Sequence, residues 1–253
     1  MTRAVTRSLT VLELLAASQE PLEVSEIIAR SGITRATGHR LMQSLQRDGY
    51  VVREKDGTYR VSFRLWGLAA AMLSSHGIRD VALPHMIELA SALQLQVALT
   101  FLEEGEACYT DRIEVIGERV SPRLINIRVP ALSVAAGRAL AAYLPEEETE
   151  PMLHDVPQRT PLTKTDPAEL RAELRRIRAE GYALLDREYD PNGSGVAVPI
   201  FDRQGRAVAA FSVVIWGPLT PETVQRVLPP ALTAGRRTSA ELGYRASDSV
   251  PVS

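Results

Sequence analysis

Between Thr34 and Arg47 the chain gathers six side chains able to hydrogen-bond a base edge or a phosphate: Arg35, Thr37, His39, Arg40, Gln43 and Arg47. Arginine pairs bidentately with guanine or with phosphate oxygens. Such a set works only if a rigid element presents it. The flanking residues supply one. Val24 to Arg30 reads as a short helix with Ile27 and Ile28 inward, and Ser31-Gly32 breaks it, since glycine takes positive φ freely. Thr34 is placed to N-cap a second helix. Leu41 and Leu45, four apart, give that helix its inner face. After Gly49, two β-rich runs, YVVRE and TYRVSF, flank Asp56-Gly57, a hairpin turn signal. Helix, turn, polar helix and hairpin make a winged DNA-binding unit whose second helix suits a major groove. The candidate DNA-contacting residues are Arg7, Thr34, Arg35, Thr37, His39, Arg40, Arg53, Lys55 and Arg60. Arg7, Arg35 and the wing's Arg53, Lys55 and Arg60 are expected on phosphates; Arg35, Thr37, His39 and Arg40 are expected on bases.

Catalytic chemistry is poorly supported. His39, His76, His85 and His154 are scattered, with no metal-binding spacing. Cys108 falls in an expected strand and reads as a small buried residue. Gly193-Ser194-Gly195 resembles part of a nucleophile elbow but precedes a strand instead of a helix. Glu103, Glu104 and Glu106 read as a solvated turn. Asp186, Glu188 and Asp190 alternate, and are expected on one exposed face of an extended segment. No catalytic residue, metal ligand or cofactor is assigned.

A chain of 253 residues with 45% hydrophobic and 24% charged residues suits one large or two small globular domains. No apolar run approaches the ~18 residues of a membrane span. The opening MTRAVTRSLTVLELLAA has its apolar stretch cut by Glu13, so it reads as an amphipathic helix and not a signal peptide. One cysteine excludes an internal disulfide and fits a cytoplasmic location. Net charge is −2, yet residues 1–62 carry nine basic and seven acidic side chains, so the basic end is the one that would meet a polyanion. Lys55 and Lys164 are the only lysines; this skew toward arginine fits a GC-rich coding sequence as well as DNA contact.

The expected class is α+β in four parts. Residues 1–62 form the winged helix-turn-helix, 63–79 a linker helix, 80–245 a second domain, and 246–253 a disordered tail. In the second domain, Pro84 is expected in the first turn of a helix. Strands follow at LQVALTFLE, EACYTDRIEV and RLINIRV, then a helix at AAGRALAAYL and a charged helix from Pro167 to Gly181. Residues 190–195 are expected to be irregular. VAVPIF and AVAAFSVVIW are strands, and Pro229-Pro230 is expected to interrupt the last helix.

TRSLTVLELLA, LEVSEIIARSGITRATGHRLMQSLQRDGYV, VPALSVAAGRALAAYLP and EYDPNGSGVAVPIFDRQGRAVAAFSV, in this order, resemble segments of the IclR (isocitrate lyase regulator) family of bacterial transcription factors. The resemblance covers roughly Thr6 to Leu242. It implies a GAF-like effector-binding and oligomerisation domain. It also implies a ligand site made of Val134, Ala135 and Ala136 before a helix, with Gly195, Ala197, Ser212 and Val214 on later strands and Glu188 on the loop before them. Backbone N–H groups at that helix start would hold a carboxylate. The alternative is that these small residues only permit close packing. Four positions depart from the family pattern. Gly195 stands where many members have cysteine, Val214 where a second serine is common, Leu185 where an acidic residue is common, and Gly38 where a β-branched core residue is common. The first three remove polar groups, so the expected effector is larger or more apolar than glyoxylate or pyruvate.

The resulting expectation is a cytoplasmic transcriptional regulator that binds double-stranded operator DNA as a homodimer or dimer of dimers and responds to a small organic or aromatic acid. Two other classes compete: a hydrolase-like enzyme with a winged-helix head, and a protein–protein interaction module.

Overall fold

A computed structural model of the chain describes residues 3–245 apart from Gln19, His76 and Glu118; for residues 70–75 it describes the backbone only. The chain forms two compact units, Met1–His76 and Gly77–Ser253. The expected tail over 246–253 lies outside the described residues.

The first unit contains α1 (Arg3–Ala17), α2 (Val24–Ser31), α3 (Arg35–Arg47), β1 (Val51–Arg53), β2 (Tyr59–Val61) and α4 (Phe63–Ser75). Its core joins Val11 and Leu15 of α1, Ile27 of α2, Met42 and Leu45 of α3, and Val51 and Tyr59 of the wing. A reciprocal capping box between Glu23 and Glu26 starts α2, and Gly32 ends it at φ 66°. Thr34 occupies the N-cap of α3 without capping it; its hydroxyl donates to Thr37 Oγ1 at 2.9 Å. Gly38 is buried, and a Cβ there would lie 2.5 Å from Ile28 Cγ1. The β-branched volume expected inside α3 is therefore supplied by Ile28 of α2. Leu22, outside both strands, exchanges backbone hydrogen bonds with Tyr59 at 2.8 and 2.9 Å, adding an isolated antiparallel bridge to β2. Arg64 Nη1 donates to Asp48 O at 2.8 Å and its guanidinium covers the Tyr50 ring, fixing the start of α4.

The helix expected over the linker ends at Ser75, and Ile78 and Arg79 already belong to the next helix. The second unit contains α5 (Ile78–Leu93), β3 (Gln96–Glu103), β4 (Glu106–Ile116), β5 (Arg119–Pro130), α6 (Ala135–Ala141), α7 (Glu146–Thr149), α8 (Pro167–Glu180), β6 (Ala183–Asp190), β7 (Gly193–Phe201), β8 (Ala207–Trp216) and α9 (Pro221–Glu241). The strands form one antiparallel sheet in the order β5-β4-β3-β8-β7-β6. One core lies between the sheet and α5 and α9; a second lies between the sheet and α6 and α8.

Four expectations fail here. Pro84 sits inside α5 and not in its first turn, because the helix begins at Ile78. Pro229 and Pro230 sit inside an unbroken α9, which is held along its length by α5 and β7. Residues 190–195 are not irregular: Asp190 pairs with Gly193 across a tight turn between β6 and β7. Finally, residues 183–190 are a strand, so Glu188 lies on β6 and not on a loop.

Candidate nucleic-acid interface and ligand pocket

Helix α3 turns Met42 and Leu45 inward and leaves Thr34, Arg35, His39, Arg40 and Gln43 exposed, with Thr37 half-buried. Arg35, His39 and Gln43 recur at four-residue spacing on one helical face. Arg35 and Arg40 make no ion pair among the described residues, so both guanidinium groups stay available. Arg47 is engaged by Asp48 at 3.0 Å. In the wing, Lys55 is exposed and Arg53 leans over the Tyr59 ring. Arg60 differs: its Nε donates to Glu54 and its Nη1 to Val61 O, so it is half-buried and locked. Its expected phosphate contact would need that pair to open. Arg7 is exposed on α1.

In the second unit a cavity of about 220 Å³ opens between the sheet and the start of α6. Five of the eight expected effector residues line it: Val134, Ala135, Gly195, Ser212 and Val214. The other three do not. Ala136 and Ala197 are fully buried in the α6–sheet core. Glu188 is buried beside Arg138, which donates to it from Nη2 at 2.7 Å and Nη1 at 3.2 Å. The packing alternative for the small residues holds at Gly137, where a Cβ would lie 2.0 Å from Ala131 O. At Gly195 a Cβ would approach Ala135 Cβ to 3.2 Å, so glycine there keeps α6 close to β7.

The cavity also uses Tyr109, Leu185, Tyr189, Asp190, Gly193, Ser194, Val213 and Trp216. Leu185 and Val214, marked as departures, supply apolar wall. Ser212 is buried and its hydroxyl has no partner among the described residues. Burial, with Tyr189 nearby, pushes the Tyr109 phenol well above its ordinary range, so it stays protonated and able to donate. The one proton of the Ser194 hydroxyl points to Gly217 O at 2.6 Å, with Asp186 a second, longer acceptor at 3.1 Å. The two tyrosines were missed because both come into reach only through the register of their strands.

The acidic clusters resolve differently from expectation. Asp186, Glu188 and Asp190 do not share a face: Arg187 takes φ 52°, the β6–β7 register shifts there, and only Glu188 is buried. Glu103 and Glu106 both hold Arg128, at 2.7 Å each, and are not simply solvated. Cys108 is half-exposed and not buried; desolvation, against an opposing pull from Arg128, raises its thiol pKa. Among the described residues no group of three or more His, Cys, Asp or Glu could hold a metal, and no helix is long and apolar enough to cross a membrane.

A winged helix-turn-helix joined to an α+β unit with a ligand-sized pocket defines a ligand-responsive transcriptional regulator. The family comparisons name the kind. Residues 4–55 match the IclR helix-turn-helix domain and residues 70–240 match the bacterial transcriptional regulator IclR C-terminal domain. The chain belongs to the IclR family. It is 30% identical to the Pca regulon regulatory protein of Pseudomonas putida over 92% of this chain and 81% of that protein. Among solved structures, Thermotoga maritima IclR is 28% identical, with a TM-score of 0.78 over 96% of this chain and all of that one. An IclR homolog from Microbacterium hydrocarbonoxydans, complexed with 4-hydroxybenzoate, is 27% identical, with a TM-score of 0.78 over 94% and 99% of the two chains.

Proposed function

We propose that this regulator is a cytoplasmic, non-enzymatic sensor of a single-ring aromatic acid, and that it grips its operator as a homodimer or dimer of dimers through α3. The buried Ser212 hydroxyl, without a partner among the described residues, lies in a cavity walled largely by apolar side chains and carries the ligand reading. A buried polar group without a partner costs about 1–3 kcal/mol, which a ligand supplying the partner recovers. The ring would lie against Leu185, Val214 and Tyr189. The carboxylate would accept from Ser212, Tyr109 and the first N–H groups of α6. The cavity volume fits one ring, and a family member of the same fold is complexed with 4-hydroxybenzoate.

A thiol hydrolase is disfavoured because Cys108 has no histidine partner among its described contacts and its raised pKa keeps it a thiol. The dimer reading rests on α4, the last helix of the first unit, where Phe63, Trp66 and Leu68 are exposed and Leu65 is half-buried.

The test is calorimetry with 4-hydroxybenzoate and a panel of benzoates, on the wild type and on Ser212→Ala and Val214→Trp. The expected result is saturable binding that Ser212→Ala weakens about 5- to 150-fold, the equivalent of 1–3 kcal/mol, and that Val214→Trp abolishes. No binding across the panel sinks the aromatic-acid reading; binding unaffected by Val214→Trp moves the site elsewhere.

A further inference from the structure

Strand β4 serves both layers of the second unit. Ala107 and Tyr109 face the α6 side, where Tyr109 walls the pocket. Ile113 packs in the core under α5, and Asp111 is held by Arg79 of α5. Residues two apart on a regular strand share a face. Tyr109 and Asp111 do not, because Thr110 is bulged out of both ladders. On one side Thr100 pairs with Tyr109 and Leu99 with Asp111; on the other, Ile127 pairs with Tyr109 and Leu124 with Asp111. A bulge re-aims side chains and bends its strand.

Asp111 is 1% exposed. One of its oxygens accepts from Arg79 Nε at 2.9 Å, and the other accepts from Thr110 Oγ1 at 3.0 Å. Arg79 stands two residues beyond Gly77, the first residue of the second unit, whose φ is 61°. Across from the bulge, Thr100 is fully buried and its hydroxyl has no partner among the described residues. That unmet hydrogen bond gives the stretch something to gain from a second arrangement.

We propose that Asp111 and Arg79 are the residues that carry pocket occupancy to the junction between the units. A ligand pressing on Tyr109 displaces the Thr110 bulge. Asp111 moves with it, and the buried ion pair draws the first turn of α5, so that the chain at Gly77 follows. Both are positioning residues: neither lines the pocket nor lies in the winged helix. The inference rests on the reading of the cavity as the effector site.

The experiment measures operator affinity of the full-length protein with and without saturating 4-hydroxybenzoate. The wild-type ratio is expected in the ordinary range for coupled sites, ~5- to 150-fold. Asp111→Asn and Arg79→Gln should bring the ratio below about twofold, while operator affinity alone and ligand affinity alone stay within about threefold. Arg79→Lys, which keeps the charge, should retain most of the coupling. A merely structural role would lower stability without erasing the ratio. If Asp111→Asn does not fold, Arg79→Gln decides.

Should calorimetry show no binding by any benzoate of the panel, the aromatic-acid reading fails by itself. Val214→Trp, whose indole occupies the cavity, then replaces the ligand in the same comparison. The proposal expects Val214→Trp to change operator affinity and Asp111→Asn to cancel that change. It is overturned if Asp111→Asn and Arg79→Gln keep the full ratio, or if filling the cavity leaves operator affinity unchanged.

Discussion

Arg138 on α6 and Glu188 on β6 form a buried ion pair of two hydrogen bonds, 2.7 and 3.2 Å, with the arginine side chain wholly inaccessible. Arg138 also donates to Leu132 O at 2.7 Å and to Glu173 of α8 at 3.1 Å, and Lys164 closes the cluster from outside. The pair joins the two elements whose ends, Val134–Ala135 and Tyr189–Asp190, face each other across the pocket. Removing one partner of such a pair leaves an uncompensated buried charge, at a cost of about 3–5 kcal/mol. Arg138→Met should therefore lower the stability of the second unit by that amount in urea denaturation. The double variant Arg138→Met/Glu188→Gln should lose less than the two single losses combined. Equal and additive losses would show that the pair does not act as a unit.

The acid limb of stability has identifiable sources. Burial alone would raise the Glu173 carboxyl, but Arg138 and Lys164 more than offset it and hold the group below its ordinary value. Asp186 is lowered to about 2, chiefly by the Arg187 hydrogen bond and against a desolvation penalty, with help from Leu219 N–H and the Ser194 hydroxyl. Both folded-state values lie below the unfolded ones, about 4.3 and 3.9. Their stabilisation is thus complete above about pH 5 and disappears as pH falls through the folded values, for Asp186 down to about 2. Urea midpoints measured from pH 6 to pH 2.5 should fall, and Asp186→Asn should flatten that fall. A wild-type curve level across this range would contradict the assignment.

Inside the winged unit, Gly38 and Ile28 divide one volume between two helices. Gly38→Val should destabilise by about 1–3 kcal/mol through overpacking against Ile28. Ile28→Ala in the same chain should recover part of that loss, because the cavity and the new methyls coincide. Denaturation of the four variants gives the cycle directly. Gly38→Val at wild-type stability would show that Ile28 moves aside without cost.

Phe63, Trp66 and Leu68 are exposed together on α4, and the proposed dimer would cover them. Trp66→Asp is expected to lower the sedimenting mass to that of the monomer at micromolar concentration, and to weaken operator binding with it, since paired half-sites multiply effective affinity. A wild type that already sediments as a monomer would exclude this role for α4.

Much of this was legible in residue order. The winged unit follows from signals that act locally: Gly32, the polar run on α3 and Asp56-Gly57. The second unit was less readable where tertiary register decides. The phase of β6 changes at Arg187, whose positive φ no pattern of alternation reveals, so Glu188 looked exposed although it lies under Arg138. Pro229 and Pro230 looked like an interruption of the last helix because local propensity disfavours them, while packing against α5 and β7 keeps α9 whole. Ala136 was assigned to the pocket with Ala135, yet one residue along a helix turns a side chain by roughly 100°, enough to move it from the cavity to the core. Tyr109 and Tyr189 come from β4 and β6, in opposite halves of the strand order, a proximity that spacing in the chain does not encode.

The central claim, that α3 reads a specific DNA sequence, is tested most directly by fluorescence anisotropy on a duplex selected from genomic fragments by the purified protein. The account predicts that the selected duplex binds on the order of 10³-fold more tightly than a scrambled duplex of equal length, with affinity falling steeply as salt rises. Arg35→Ala/Arg40→Ala should erase that preference and leave the urea midpoint unchanged, since both side chains are exposed and unpaired among the described residues. A double variant that binds the selected duplex within twofold of the wild type would contradict the account.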